Sequence, residues 1–151
     1  MAGVVEQIAI TSVPHGLPEP VERVELVAGR GPKGDRKFAP KSMRRKGKDL
    51  TLIEAEALEA LRAETGIALS HEESRRNVLT RGVRLNDMVG KRFRVGEVEC
   101  EGVVLNEPCT HLESLTYPGV LAGLENRGGL RANVLVGGTI AAGDEVSELP
   151  S

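Results

Sequence analysis

Short stretches in which apolar and polar residues alternate recur along this chain, and each predicts a β-strand. Glycine and proline separate these stretches, as they do where strands are joined by turns. In the stretch 98–105, Val98 and Cys100 share the apolar face, so Cys100 is predicted to lie in the core. The predicted strands cover residues 4–13, 21–28, 49–53, 77–80, 92–95, 98–105, 130–136, 139–141 and 145–149. Roughly seven to nine short strands favour a largely antiparallel β-barrel over a doubly wound sheet.

One longer helix is predicted by apolar residues at helical spacing within residues 54–64. Thr51 and Glu54 match a capping box at its start, and Gly66 is placed to end it. A shorter helical segment is predicted at 120–126. The chain is therefore predicted to be mainly β with a few helices, and to form one domain over residues 1–151.

Composition narrows the classes of protein to which the chain could belong. Its 40% hydrophobic and 28% charged residues are ordinary for a globular protein. One Tyr, two Phe and no Trp are too few aromatic faces for base stacking, and a net charge of −2 attracts neither nucleic acid nor membrane. No run approaches the roughly 20 apolar residues of a membrane span. Two cysteines without a signal-like N-terminus indicate free thiols in the cytoplasm.

The turn Glu107-Pro108-Cys109-Thr110-His111-Leu112 contains the strongest candidate for chemistry. Pro108 must end the preceding strand, because it has no N–H to donate. A helix over residues 110–115 would then place Cys109 at or just before its first turn, where unpaired N–H groups favour a thiolate. The thiolate is the form that attacks sulfur or binds a metal. The residues alone leave a second interpretation open, in which Cys109 is a buried and unreactive side chain.

A basic stretch precedes the longer helix. Residues 37–48 contain six basic residues in twelve, with no acidic residue between them. Such a stretch is either a solvated loop or a wall that binds anions. The glycine-rich turn at 29–36 lacks the spacing of a Walker loop or a dinucleotide-binding motif, so an exposed turn is the favoured interpretation there.

Several landmarks coincide along the chain, at residues 34–36, 50–58, 75–78, 90–96, 107–109 and 127–134. Together they resemble one family, the MOSC domain, named for the C-terminal domain of molybdenum-cofactor sulfurases. The resemblance extends over about residues 4–148. It implies a MOSC-like β-barrel whose chemical centre is Cys109, carrying sulfur as a persulfide or binding molybdenum in a pterin cofactor, molybdopterin.

The resemblance also implies which residues would surround that cofactor. Arg75 and Asn77 match an Arg-x-Asn element that faces the cofactor, and on an extended strand two residues so spaced would point the same way. Lys41, Ser42 and Arg45 would contribute to the wall that receives the pterin phosphate.

Three residues that follow Cys109 in the sequence, His111, Arg127 and Arg131, are assigned less specific roles. His111 is two positions from Cys109, so on a helix the two side chains would not face each other. With Cys100 they also fall short of the four ligands of a closed zinc site. His111 is therefore interpreted as a hydrogen-bonding residue at the site rim. Arg127 and Arg131 would serve either at that rim or in salt bridges.

Three functions are consistent with these residues. The first is a MOSC-domain protein that binds molybdenum cofactor through Cys109 and transfers sulfur. The second is a molybdenum-dependent reductase of N-hydroxylated compounds, and the third is a non-catalytic barrel that binds a partner, with Cys109 buried. We expect no pyridoxal phosphate in this chain, because it lacks an aminotransferase-like domain. Sulfur would come from a cysteine desulfurase-like donor that holds that cofactor, or electrons from an electron-transfer protein.

Overall fold

A closed β-barrel forms the body of the computed structural model, which describes residues 2–38 and 47–150. The strands are β1 (Ala2–Ile10), β2 (Glu19–Val21), β3 (Arg23–Val27), β4 (Gly31–Pro32), β5 (Leu50–Glu54), β6 (Val78–Arg81), β7 (Arg92–Val95), β8 (Val98–Leu105), β9 (Leu130–Val136), β10 (Gly138–Ala141) and β11 (Glu145–Glu148). The helices are α1 (Ala55–Thr65), α2 (His71–Ser74), α3 (Thr110–Leu115) and α4 (Val120–Gly123), with a 3-10 helix at Leu85–Met88.

Within the described residues, seven strands close the barrel in the order β1-β11-β7-β8-β9-β5-β6, and β6 returns to β1. Neighbouring strands are antiparallel except β5 and β6, which run parallel with Leu52 opposite Val78. A parallel pair needs a crossover connection, and α1 and α2 supply it. A smaller sheet of β10, β3 and β4 adjoins the barrel. The predicted mainly β, largely antiparallel barrel is therefore confirmed.

The barrel interior is filled by aliphatic side chains and one aromatic ring. Phe93, Leu52, Ile8 and Val78 have no exposed surface, and Cys100 is equally buried among them, as its position in the alternation predicts. A second apolar cluster lies under α1, α3 and α4. Its buried members are Leu61, Leu69, Leu112, Val120 and Leu124. This second cluster anchors α3, and therefore the turn that carries Cys109, to the rest of the protein.

The start of α1 differs from its prediction. Glu54 belongs to β5 and occupies the N-cap position without a side-chain cap bond, because its carboxylate accepts instead from the N–H of Leu85 at 3.0 Å. The predicted capping box of Thr51 and Glu54 is therefore wrong. A capping box does form at Ser70 and Glu73, at the start of α2. Gly66 ends α1 in the left-handed conformation, as predicted.

The second predicted strand also differs, because residues 21–28 are divided between β2 and β3. Strands β8 and β9 have the predicted limits, and residues 96–97 form a two-residue turn before β8. None of the helices that the structure describes is long and apolar enough to span a membrane.

Alanine substitution of two glycines with positive φ tests how closely the backbone before β9 packs against β5. Gly129 lies at this contact, and Gly66 is the control. Gly129 has φ +117°, and a Cβ there would lie 2.1 Å from the carbonyl oxygen of Leu52, whereas Gly66, with φ +80°, has no atom within 4 Å of such a Cβ. We expect Gly129→Ala to lower the free energy of unfolding by about 3 kcal/mol or more, and Gly66→Ala by about 1 kcal/mol. Urea denaturation measures both, and equal losses would contradict the proposed close contact.

Candidate functional site

A cavity of about 220 Å³ lies beside the turn that carries Cys109. Residues from β5, β9, the segment between α2 and β6, and the turns around them form its wall. Six of the lining residues are basic: Arg36, Lys37, Lys48, Arg75, Arg76 and Arg131. Such a density of positive charge contrasts with the protein's net charge of −2.

Cys109 is exposed at this cavity, at the N-cap of α3. Its position immediately before the helix agrees with the prediction, and its carbonyl accepts from the N–H of Glu113 at 3.1 Å. The alternative in which Cys109 is buried is wrong. Because α3 has only six residues, its dipole is short, and basic side chains that line the same cavity, Arg76 among them, add positive charge near the thiol.

Arg76 is the most buried of these basic residues, with 8% of its surface exposed. All three nitrogens of its guanidinium donate to backbone carbonyls. The distances are 2.9 Å to Gly128 from Nε, 3.1 Å to Ser74 from Nη1 and 2.8 Å to Asn106 from Nη2. Burial lowers the pKa of Arg76 to about 10, while Cys109 acts in the opposite direction. The guanidinium thus keeps its charge near the thiol at neutral pH.

Two further arginines of the cavity are held by neutral acceptors. Arg131, on β9, donates from Nε to the side-chain oxygen of Asn106 at 2.9 Å. Arg75 is the C-cap of α2, with φ +63°, and donates from Nη1 to the carbonyl of Gly16 at 2.8 Å. Burial and the nearby Arg36 lower the pKa of Arg75, while the carboxylate of Asp35 acts in the opposite direction. These contacts orient the guanidinium groups without cancelling their charge.

Two arginines that form ion pairs, Arg81 and Arg127, do not line the cavity. Arg81 binds Glu6 and Glu59, and Arg127 binds Glu64 at 2.9 Å. No described carboxylate is paired with Arg36, Lys48, Arg75, Arg76 or Arg131. Glu107, a lining carboxylate, accepts from the N–H of Asn126 at 2.9 Å. The cavity therefore presents positive charge that an anionic ligand could neutralise.

Asn77 lies beside the cavity, immediately before β6, and its side chain links β5 to β1. Its side-chain oxygen accepts from the N–H and hydroxyl of Thr51, at 3.3 and 3.1 Å, and its amide donates to the carbonyl of Ala9 at 3.3 Å. With Arg75 it borders a small cleft next to the main cavity. The expectation that Arg75 and Asn77 share an extended strand is wrong, since Arg75 is left-handed and β6 begins at Val78.

The remaining predicted residues divide into three groups. Arg131 and His111 line the cavity, whereas Arg127 takes the salt bridge that was its alternative role. His111 also packs edge-on against His15, with ring centroids 5.5 Å apart. The predicted phosphate-wall residues Lys41, Ser42 and Arg45 lie outside the described residues.

Sequence reasoning missed Arg76 and Asn106 as parts of the site. The adjacent pair Arg75-Arg76 was a signal, but an arginine is expected at the surface, and only the fold shows that Arg76 points inward. The described residues contain no group of three His, Cys, Asp or Glu side chains that could hold a metal ion. A metal bound here would have to bring most of its ligands with it.

The charge of Lys37 gives the site a testable pH dependence. Although much of the residue is exposed, desolvation of its ammonium group, together with Arg36, Arg76 and Arg131, lowers the pKa of Lys37 to about 8. Its positive charge is therefore lost as pH rises through about 8. We expect sulfate to bind the Cys109→Ser protein about tenfold more weakly at pH 9.5 than at pH 7, an effect of about 1.4 kcal/mol. Titration calorimetry at constant ionic strength measures this change.

Lys37→Gln in the same background is the control for this effect. Without the titrating ammonium group, sulfate affinity should stay nearly constant over the same pH range. An unchanged pH dependence in Lys37→Gln would contradict the role of Lys37.

Comparisons with known proteins agree with this architecture. The family model described as the MOSC domain matches residues 39–147, and no curated protein sequence matches the chain. The crystal structure of the YuaD protein from Bacillus subtilis is similar with a TM-score of 0.82 and 16% identity, over 97% of this chain and 94% of that one. YiiM from Geobacillus stearothermophilus is similar with a TM-score of 0.77 and 15% identity, over 98% and 75% of the two chains.

YiiM from Escherichia coli shows the same fold, with a TM-score of 0.67 and 18% identity over 98% of this chain and 70% of that one. At such identities, these structures establish similarity of fold alone. The family model covers well over half of the chain and includes the turn with Cys109. The chain therefore belongs to the MOSC domain family.

Proposed function

We propose that this MOSC-domain protein binds molybdenum cofactor in the cation-lined cavity, and that Cys109 is the residue that contacts the metal or carries sulfur to it. One observation carries the proposal. An exposed thiol lies at a cavity in which five basic side chains, Arg36, Lys48, Arg75, Arg76 and Arg131, have no carboxylate partner among the described residues.

The residues of the cavity fit the chemistry of that cofactor. Its pterin ends in a phosphate, which favours arginine and lysine donors, and Arg76 and Arg131 are held in place to supply them. Cys109 supplies a soft sulfur donor. When bound, the cofactor would supply a soft metal centre that accepts a thiolate and exchanges sulfur.

In this proposal the arginines of the cavity supply positive charge, and Cys109 supplies an accessible sulfur. Arg76 and Arg131 would hold the anionic end of the ligand, because their neutral hydrogen-bond acceptors leave the positive charge available. Exposure of Cys109 leaves its sulfur within reach of a second molecule. An exposed sulfur near positive charge is what a sulfur carrier requires.

Sulfur transfer to Cys109 can be written as a balanced exchange. The Cys109 thiolate attacks the terminal sulfur of a donor persulfide, a new S–S bond forms at Cys109, and the donor leaves as a thiolate. The exchange needs no external oxidant, since one S–S bond replaces another. We propose a cysteine desulfurase-like protein as the donor, with any pyridoxal phosphate on that protein.

Metal and sulfur content test the proposal directly. We expect the protein purified from cells that make the cofactor to contain near-stoichiometric molybdenum and pterin, or a mass increase of one sulfur on Cys109. Cys109→Ala should remove both. Cys100→Ala is the matched control, because Cys100 is buried in the barrel and should leave both unchanged.

The molybdenum content and the extra sulfur distinguish between the two roles proposed for Cys109. Metal that depends on Cys109 supports the metal-binding role, and extra sulfur without metal supports the carrier role. Absence of both from the wild-type protein, or molybdenum content that is the same in Cys109→Ala, would contradict the proposed function.

A further inference from the structure

Asn106 links two arginines of the cavity. Its backbone carbonyl accepts from Nη2 of Arg76 at 2.8 Å, and its side-chain oxygen accepts from Nε of Arg131 at 2.9 Å. Asn106 is 5% exposed, and its own N–H donates to the carbonyl of Gly129 at 2.8 Å. One buried residue therefore orients two guanidinium groups on the wall of the same cavity.

The two guanidinium groups repel each other across this residue. Arg131 contributes to the lowered pKa of Arg76, after the larger effect of burial. Neither arginine is paired with a described carboxylate, and their acceptors in this cluster are uncharged. Keeping two like charges close together is unfavourable, and a doubly charged anion between them would offset that repulsion.

We infer that Arg76, Asn106 and Arg131 form a preformed clamp for a doubly charged tetrahedral oxyanion of the phosphate and sulfate class. Arg76 and Arg131 bind the anion, and Asn106 is the positioning residue. This inference deepens the proposed function, on which it rests where it assigns the clamp to the cofactor's phosphate. Binding of a free oxyanion does not depend on that assignment.

The geometry allows the role of Asn106 to be separated from that of Arg76. Arg76 contacts the backbone of residue 106, so a change of side chain leaves its acceptor in place. Arg131 contacts the side chain, so Asn106→Ala removes only the anchor of Arg131. A double-mutant cycle between Asn106 and Arg131 can therefore detect whether one acts through the other.

Sulfate is the probe for this cycle, because it keeps its charge across the neutral pH range. We expect Asn106→Ala and Arg131→Gln each to weaken sulfate binding by about fivefold to tenfold, in calorimetric titrations at constant ionic strength. The double variant should bind about as weakly as Arg131→Gln alone. Asn86→Ala is the matched control, since Asn86 is exposed and bonds to the carbonyl of Asn126 away from the cavity.

Independent, multiplicative losses in the double variant would overturn the positioning role. Failure of the wild-type protein to bind sulfate would overturn the clamp itself. If the variants do not fold, the NMR signal of the Arg131 Nε–H in the wild-type protein replaces them. It should shift on addition of sulfate, and an unchanged signal would also overturn the clamp.

Molybdenum content distinguishes the source of the oxyanion. If the clamp receives the cofactor's phosphate, Arg131→Gln should lose molybdenum and pterin along with sulfate affinity. Unchanged molybdenum and pterin content in Arg131→Gln would overturn the assignment of the clamp to the cofactor's phosphate. Sulfate binding by a wild-type protein that contains neither metal nor extra sulfur supports the clamp and overturns the proposed function.

Discussion

The candidate site depends on the burial of one guanidinium group, that of Arg76. A buried positive charge is stable only if its donors are satisfied, and here three backbone carbonyls satisfy them. Those carbonyls belong to the end of α2, to the segment after β8 and to the residue before Gly129. Arg76 therefore joins three segments that are distant in sequence and places its charge at their junction, beside Cys109.

Close backbone packing reinforces the same junction. A Cβ on Gly128 would lie 2.6 Å from the carbonyl oxygen of Asn106 and 2.9 Å from Cδ of Pro108, so only glycine fits there without a shift. The turn with Cys109 is thus held by the bond from Arg76 to Asn106 and by close packing against the 128–129 backbone. Arg127, which lies outside the cavity, is paired with Glu64. The cavity arginines are held by uncharged groups, which fix their direction and preserve their charge.

Local patterns predicted the fold well, because alternation and turn residues are local properties. They identified β8, β9, the buried Cys100 and the position of Cys109 before α3. They failed where distant contacts decide the structure. Glu54 bonds to Leu85 rather than capping α1, and Arg76 turns inward toward carbonyls from residues 106 and 128. Asn106 carries no sequence signal beyond its place two residues before Pro108, since its role exists only once Arg76 and Arg131 converge on it.

The central claim is that the thiol and the cationic cavity are one site. The rate at which iodoacetate, an anionic reagent, alkylates Cys109 tests this claim most directly when measured with increasing sulfate at constant ionic strength and pH. We expect sulfate to slow the modification of Cys109 in a saturable manner, and the dissociation constant obtained from these rates should equal the one measured by calorimetry. A rate independent of sulfate, in a protein that binds sulfate, would show that Cys109 and the cation-lined cavity are separate.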